Sequence, residues 1–229
     1  MIDQDKRIRV ITGHYGSGKT EFAVNYAVAL SRLARKAALC DLDVVNPYFR
    51  SREQEAMLRA QGVEVIYSSL PGGNIDIPAL SAKITGPLVD KTYDYVIDLG
   101  GNDVGVLAMN RFRPFFDWNE VDLFLTVNVY RPDTSTAEGV IGQMRQIERA
   151  AGAKVTGLIN NSNLIRETTW ACLEEGGRIL KEVTERTGVP VRYVSYIREY
   201  CRDEETAEES SGVCGERFPM TYFMRQAWM

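Results

Sequence analysis

From residue 7 onward, short unbroken apolar runs alternate with longer stretches in which apolar side chains recur every third or fourth position. The first pattern predicts buried strands and the second predicts amphipathic helices. Strands are expected over 7–12, 36–42, 63–67, 93–98, 121–129, 154–160 and 191–196, the last being the final strand of the chain. Helices are expected over 20–34, 51–60, 134–150 and 166–186. In the first helix Phe22, Ala23, Tyr26, Ala27, Leu30 and Leu33 fall on one face. Short helical pieces are expected between the turn at Pro71, Gly72, Gly73 and Asn74 and the residue Lys91. Residues 104–116 begin as helix and break before Pro114. Such alternation gives parallel strands joined by right-handed crossovers. The expected fold class is α/β: a three-layer, doubly wound, mainly parallel sheet with helices on both faces.

Ligands of such sheets bind at the carboxyl ends of the strands. The first strand ends in Gly13, His14, Tyr15, Gly16, Ser17, Gly18, Lys19 and Thr20, and the first helix opens there. Glycines let the backbone curl so that successive N–H groups point at phosphate oxygens, and the helix adds its positive end. Lys19 is expected to neutralise the β- and γ-phosphates, and the Thr20 hydroxyl to ligate Mg2+. This spacing, between a strand and an amphipathic helix, resembles a P-loop, and nucleotide binding is expected.

Composition narrows the class. The chain has 229 residues, 45% hydrophobic and 25% charged, as in a globular α/β domain with a substantial core. A net charge of −4 gives no electrostatic case for nucleic acid. No apolar run is long enough to span a bilayer, so no membrane association is expected and the cytoplasm is the expected compartment. Cys40, Cys172, Cys201 and Cys214 form no close pair, and His14 is the only histidine, which argues against a zinc centre. Residues 1–200 are expected to form the nucleotide-binding domain. Residues 201–229 form a tail, acidic at first and then aromatic and Met-rich, that either packs back or docks a partner.

Three further strand ends carry candidate chemistry. Asp98 closes the fourth strand and is expected to hold a Mg2+-bound water, with Gly100 and Gly101 approaching the γ-phosphate. Asp41 and Asp43 close the second strand. One would orient the attacking water and the other would bind a water of the Mg2+ shell. Asn160, Asn161 and Asn163 close the sixth strand, where Asn161 is expected to read the adenine edge. An aspartate of an NKxD motif, the usual guanine reader, does not stand there, so ATP is expected over GTP.

In that order, GHYGSGKT, DLDVVNPYF, VIDLGGNDVGVLAMN and GLINNSN resemble the MinD/ParA/nitrogenase iron protein group of P-loop ATPases, over about residues 7–200. The resemblance implies a slow ATPase switch: a homodimer that forms with ATP, acts on a client protein and resets to ADP by hydrolysis. It places Asp41 and Asp43 in switch I and Asp98 to Gly101 in switch II. Two positions depart from the pattern. His14 stands where the family has a lysine that reaches the partner's phosphates, and Arg50 or Arg52 is a possible substitute. The stretch from Asp98 to Met109 lacks the cluster-ligand cysteine of the iron protein. Rival expectations are an ATP-dependent kinase or ligase of a small metabolite on the same scaffold, with Pro71 to Asn74 and Arg111 to Phe116 lining a pocket, and a nucleotide-dependent binding module with negligible hydrolysis. A metal-delivery GTPase is a weaker third.

Overall fold

A computed structural model describes residues 2–33, 35–42, 55–67, 77–201 and 213–224. The strands are β1 (Ile8–Gly13), β2 (Lys36–Asp41), β3 (Val63–Tyr67), β4 (Tyr93–Asp98), β5 (Val121–Val127), β6 (Gly157–Asn160), β7 (Val191–Ile197) and β8 (Glu216–Met220). The helices are α1 (Lys19–Arg32), α2 (Glu55–Ala60), α3 (Ile77–Val89), α4 (Asp103–Asn110), α5 (Ala137–Ala151) and α6 (Trp170–Thr187). The strands form an eight-stranded sheet in the order β3-β2-β4-β1-β5-β6-β7-β8. Every pairing recorded is parallel, as strand–helix alternation requires. The fold is a three-layer α/β fold built on a parallel sheet. No helix among the described residues is long and apolar enough to cross a membrane.

The chain divides into two compact units, the first being Met1–Ile11, Thr20–Asp122 and Phe223–Met229. Its core is made by fully buried Ile8, Val10 and Ile11 of β1, Leu39 and Cys40 of β2, Val96 and Ile97 of β4, and Phe22, Tyr26 and Leu30 of α1. Leu33, expected on the same face as Leu30, is 48% exposed because α1 ends at Arg32 and the helical period ends with it. Arg9 in the middle of β1 is fully buried and pairs with Asp94, which Arg35 also reaches at 3.1 Å. A cation so deep in a strand requires that pairing, since an unpaired buried charge costs several kcal/mol. Residues 77–89 form one helix with Pro87 inside it, rather than the short pieces expected.

The second unit is Thr12–Lys19 and Leu123–Tyr222. Trp170, Leu173, Val194, Tyr196 and Cys201 make one cluster of its core, and Tyr193 meets Phe124 and Phe218 edge-on. The helices α5 and α6 end at Gly152 and Gly188 in left-handed C-caps. The final strand is not β7: β8 pairs with it in register from Tyr193–Glu216 to Ile197–Met220. Pro219 is compatible with an edge strand, which needs no ladder donor on its outer side.

Candidate functional site

In the second unit β1 gives way to a loop that curls before α1 opens. Gly16 and Gly18 have φ of +75° and +83°, the left-handed region that side-chain-bearing residues avoid. At Gly18 a methyl would also stand 2.2 Å from Asn161 Nδ2, so the loop tolerates only glycine there. The Ser17 N–H donates to His14 O at 3.0 Å and tightens the turn. Ser17 and Lys19 are buried, and Tyr15 is 68% exposed.

Asn161 lies beneath this loop. It is buried, its Nδ2 donates to Ser17 O at 2.7 Å, and its Oδ1 accepts the Ser195 hydroxyl at 2.9 Å. Its neighbours extend the network: Asn163 Nδ2 donates to Asn161 O at 2.7 Å, and Asn160 Nδ2 donates to Leu173 O at 2.8 Å. The amides that close β6 therefore brace backbone, including that of the loop from Gly13 to Thr20.

The segment after β5 grips the loop from another side. Arg131 Nε donates to Gly16 O at 3.0 Å, and His14 Nε2 lies 2.8 Å from Asp133 Oδ2. His14 Nδ1 is 3.0 Å from Tyr15 O. Neither Arg131 nor Asp133 is expected at the site from the sequence. A readable signal existed: a cation and a turn-forming Pro132-Asp133 directly follow a strand end, where ligands of this fold class sit.

In the first unit the Thr20 hydroxyl donates to Asp98 Oδ2 at 2.6 Å, with both residues buried. Asp41 is the register partner of Asp98 across β2 and β4, which places both carboxylates on one face at the strand ends. Asp41 is also buried. Gly100 and Gly101 follow β4 after Leu99, and Asn102 then caps α4 by accepting the Gly105 N–H at 2.9 Å. Asp43, Arg50, Arg52 and the turn Pro71 to Asn74 lie outside the described residues.

The residues present fit a nucleotide and its metal. In the second unit the left-handed glycines and buried Lys19 suit a phosphate group, and in the first unit the buried Thr20–Asp98 pair suits a hydrated cation. Thr20 would hold Mg2+ directly, and Asp98 through water.

No protein-family model matches the chain, and no curated protein matches it. Solved structures do. FtsY from Mycoplasma mycoides is 17% identical over 82% of this chain and 59% of that one, with a TM-score of 0.57. FtsY from Thermotoga maritima is 18% identical over 90% and 63%, with a TM-score of 0.54. The signal recognition particle receptor FtsY from Elizabethkingia anophelis, solved in complex with GDP, is 18% identical over 84% and 57%, with a TM-score of 0.53. This chain thus spans about three fifths of the length of those structures. At such identities the likeness is one of fold: the chain has the three-layer α/β fold these proteins share.

Proposed function

We propose that the chain is a Mg2+-dependent ATP-binding protein of the MinD/ParA/nitrogenase iron protein type. It would be a slow cytoplasmic ATPase switch that dimerises with ATP bound and acts on a client protein. The observation that carries this reading is the phosphate loop: left-handed Gly16 and Gly18, buried Lys19, and Thr20 at 2.6 Å from Asp98.

On this reading the amides of Gly13 to Gly18 cradle the phosphates, Lys19 neutralises the β- and γ-phosphates, and Gly100 and Gly101 approach the γ-phosphate. Asp41, beside Asp98 in register, orients the attacking water. Asp43 would share that work from outside the described residues. Bound Mg2+ supplies charge neutralisation on the phosphate oxygens. Asn161 serves the nucleotide by holding Ser17 in place. The preference for ATP is supported by the amides that close β6 where a guanine reader offers a carboxylate. The GDP bound to a protein of the same fold makes GTP the necessary competitor in any test.

Residues 1–200 remain the nucleotide-binding part and 201–229 the tail. Packing back is supported by β8 on β7, and by Glu21, whose carboxylate accepts the Phe223 N–H at 2.6 Å and the Met224 N–H at 3.2 Å.

A second reading, a kinase or ligase of a small metabolite, is favoured by one observation. His14, at the position of the trans-acting lysine, is held by Asp133 of the same chain. The deciding experiment combines phosphate release from MgATP and MgGTP with sedimentation in ADP and in a non-hydrolysable ATP analogue. ATP turnover lost in Lys19→Ala, with a dimer in the analogue, supports the switch. A monomer in both nucleotides favours the second reading. Unchanged affinity and rate in Lys19→Ala overturn both.

A further inference from the structure

We propose that Arg131 is a phosphate-contact residue whose guanidinium engages the terminal phosphate of a bound nucleoside triphosphate. The proposal rests on the phosphate-loop reading above. Arg131 is fixed where it leaves β5: its N–H donates to Asn128 O at 3.2 Å, its carbonyl accepts the Thr134 N–H at 3.0 Å, and Thr134 Oγ1 donates to Asn128 O at 2.7 Å. From there the side chain reaches 115 residues back along the chain to Gly16 O. A methyl on Gly16 would stand 3.3 Å from Arg131 Cζ and 3.5 Å from Nη2, so the guanidinium lies against the loop.

A guanidinium carries five N–H donors. Among the described residues only Nε of Arg131 has a partner, and no carboxylate pairs with it. Asp133, two residues on, is engaged by His14. The result is a half-buried, uncompensated cation whose two terminal nitrogens are open, at the rim of a loop shaped for phosphate. Its planar fork matches two oxygens of a phosphate better than a lysine does. The loop amides and Lys19 serve the phosphates inside the loop, and a cation at the rim faces the outermost one. His14, the only histidine, is tied to Asp133 and Tyr15, which leaves Arg131 as the open cation of that rim among the described residues.

The test compares dissociation constants of a non-hydrolysable triphosphate and of the diphosphate, each of adenosine and of guanosine, for wild type, Arg131→Ala and Arg131→Lys. Arg131→Ala is expected to weaken the triphosphate about tenfold or more while leaving the diphosphate within about twofold. Arg131→Lys is expected to recover part of the loss, because charge returns without the fork. A residue that merely clamps Gly16 would weaken both nucleotides equally, and that result overturns the proposal. A wild-type protein that binds none of the four overturns the phosphate-loop reading itself, which separates the two failures.

Discussion

Asn161 and Ser17, 144 residues apart in the chain, are joined by a 2.7 Å hydrogen bond from a buried side-chain amide to the loop carbonyl. The same amide accepts the Ser195 hydroxyl, so one side chain ties the phosphate loop to the ends of β6 and β7. Asn161→Ala leaves Ser17 O and the Ser195 hydroxyl without that partner. A loss of about 1–3 kcal/mol in unfolding free energy is expected from urea titration, the usual cost of stranding buried polar groups. Nucleotide affinity should fall with it, because the loop loses its brace. Asn161→Asp should be worse, since it sets a carboxylate oxygen or its charge against a carbonyl that needs a donor.

Gly18→Ala meets two obstacles at once: φ of +83° and a methyl 2.2 Å from Asn161 Nδ2. Loss of nucleotide binding is expected in a protein that still unfolds cooperatively. The two substitutions should be non-additive, because Asn161→Ala removes the clash but not the backbone strain. Gly18→Ala is therefore expected to cost less in the Asn161→Ala background than in wild type. Equal costs would show that the contact is irrelevant.

The 2.6 Å bond between Thr20 and Asp98 predicts how metal enters. Thr20→Ala and Asp98→Asn should each remove most of the Mg2+-dependent gain in triphosphate affinity. Thr20→Ser, which keeps the hydroxyl, should preserve it. Titrations with and without EDTA check this. Turnover in Asp98→Asn should fall on the order of a hundredfold or more if charge neutralisation carries the chemistry.

The cysteines respond to burial. Burial pushes the Cys40 thiol up from 9.0 to about 12, and only Cys214 is exposed. In the native protein a thiol reagent at pH 8 should label Cys214, with Cys40, Cys172 and Cys201 labelled after unfolding. Because the folded state holds the Cys40 proton more tightly, the unfolded chain ionises first as pH rises. Stability is unaffected by this group below about pH 9 and is lost progressively between about 9 and about 12. The stability difference between wild type and Cys40→Ala should shift against wild type by about 1.4 kcal/mol from pH 8 to pH 10. A difference independent of pH would contradict this placement of Cys40.

The strand, glycine loop and helix from Ile8 to Arg32 are legible because glycines, lysine and threonine stand together between an apolar run and an amphipathic pattern. The strand ends bearing Asp41 and Asp98 were legible because an apolar run stops at a carboxylate, and the observed register sets the two side by side. What the sequence hid is held by long-range contacts. Arg131 and Asp133 reach the loop from the β5–α5 connection, and their place after a strand end is the one local sign of it. Asn161 reads as a base-contacting amide, yet its donor goes to Ser17, a choice only tertiary placement makes. The strand β8 was missed because Pro219 and the charged Glu216 and Arg217 break the apolar run that marks the other strands. Gly86 and Pro87 likewise blurred α3, a single helix that tolerates them near its end.

The most direct measurement is a calorimetric titration of the full chain with a Mg2+-bound non-hydrolysable ATP analogue, run beside Lys19→Ala. Saturable binding of one nucleotide per chain, lost in Lys19→Ala while that variant stays folded, is the expected result. No binding to wild type, or equal binding to both proteins, would mean that the loop from Gly13 to Thr20 holds no triphosphate.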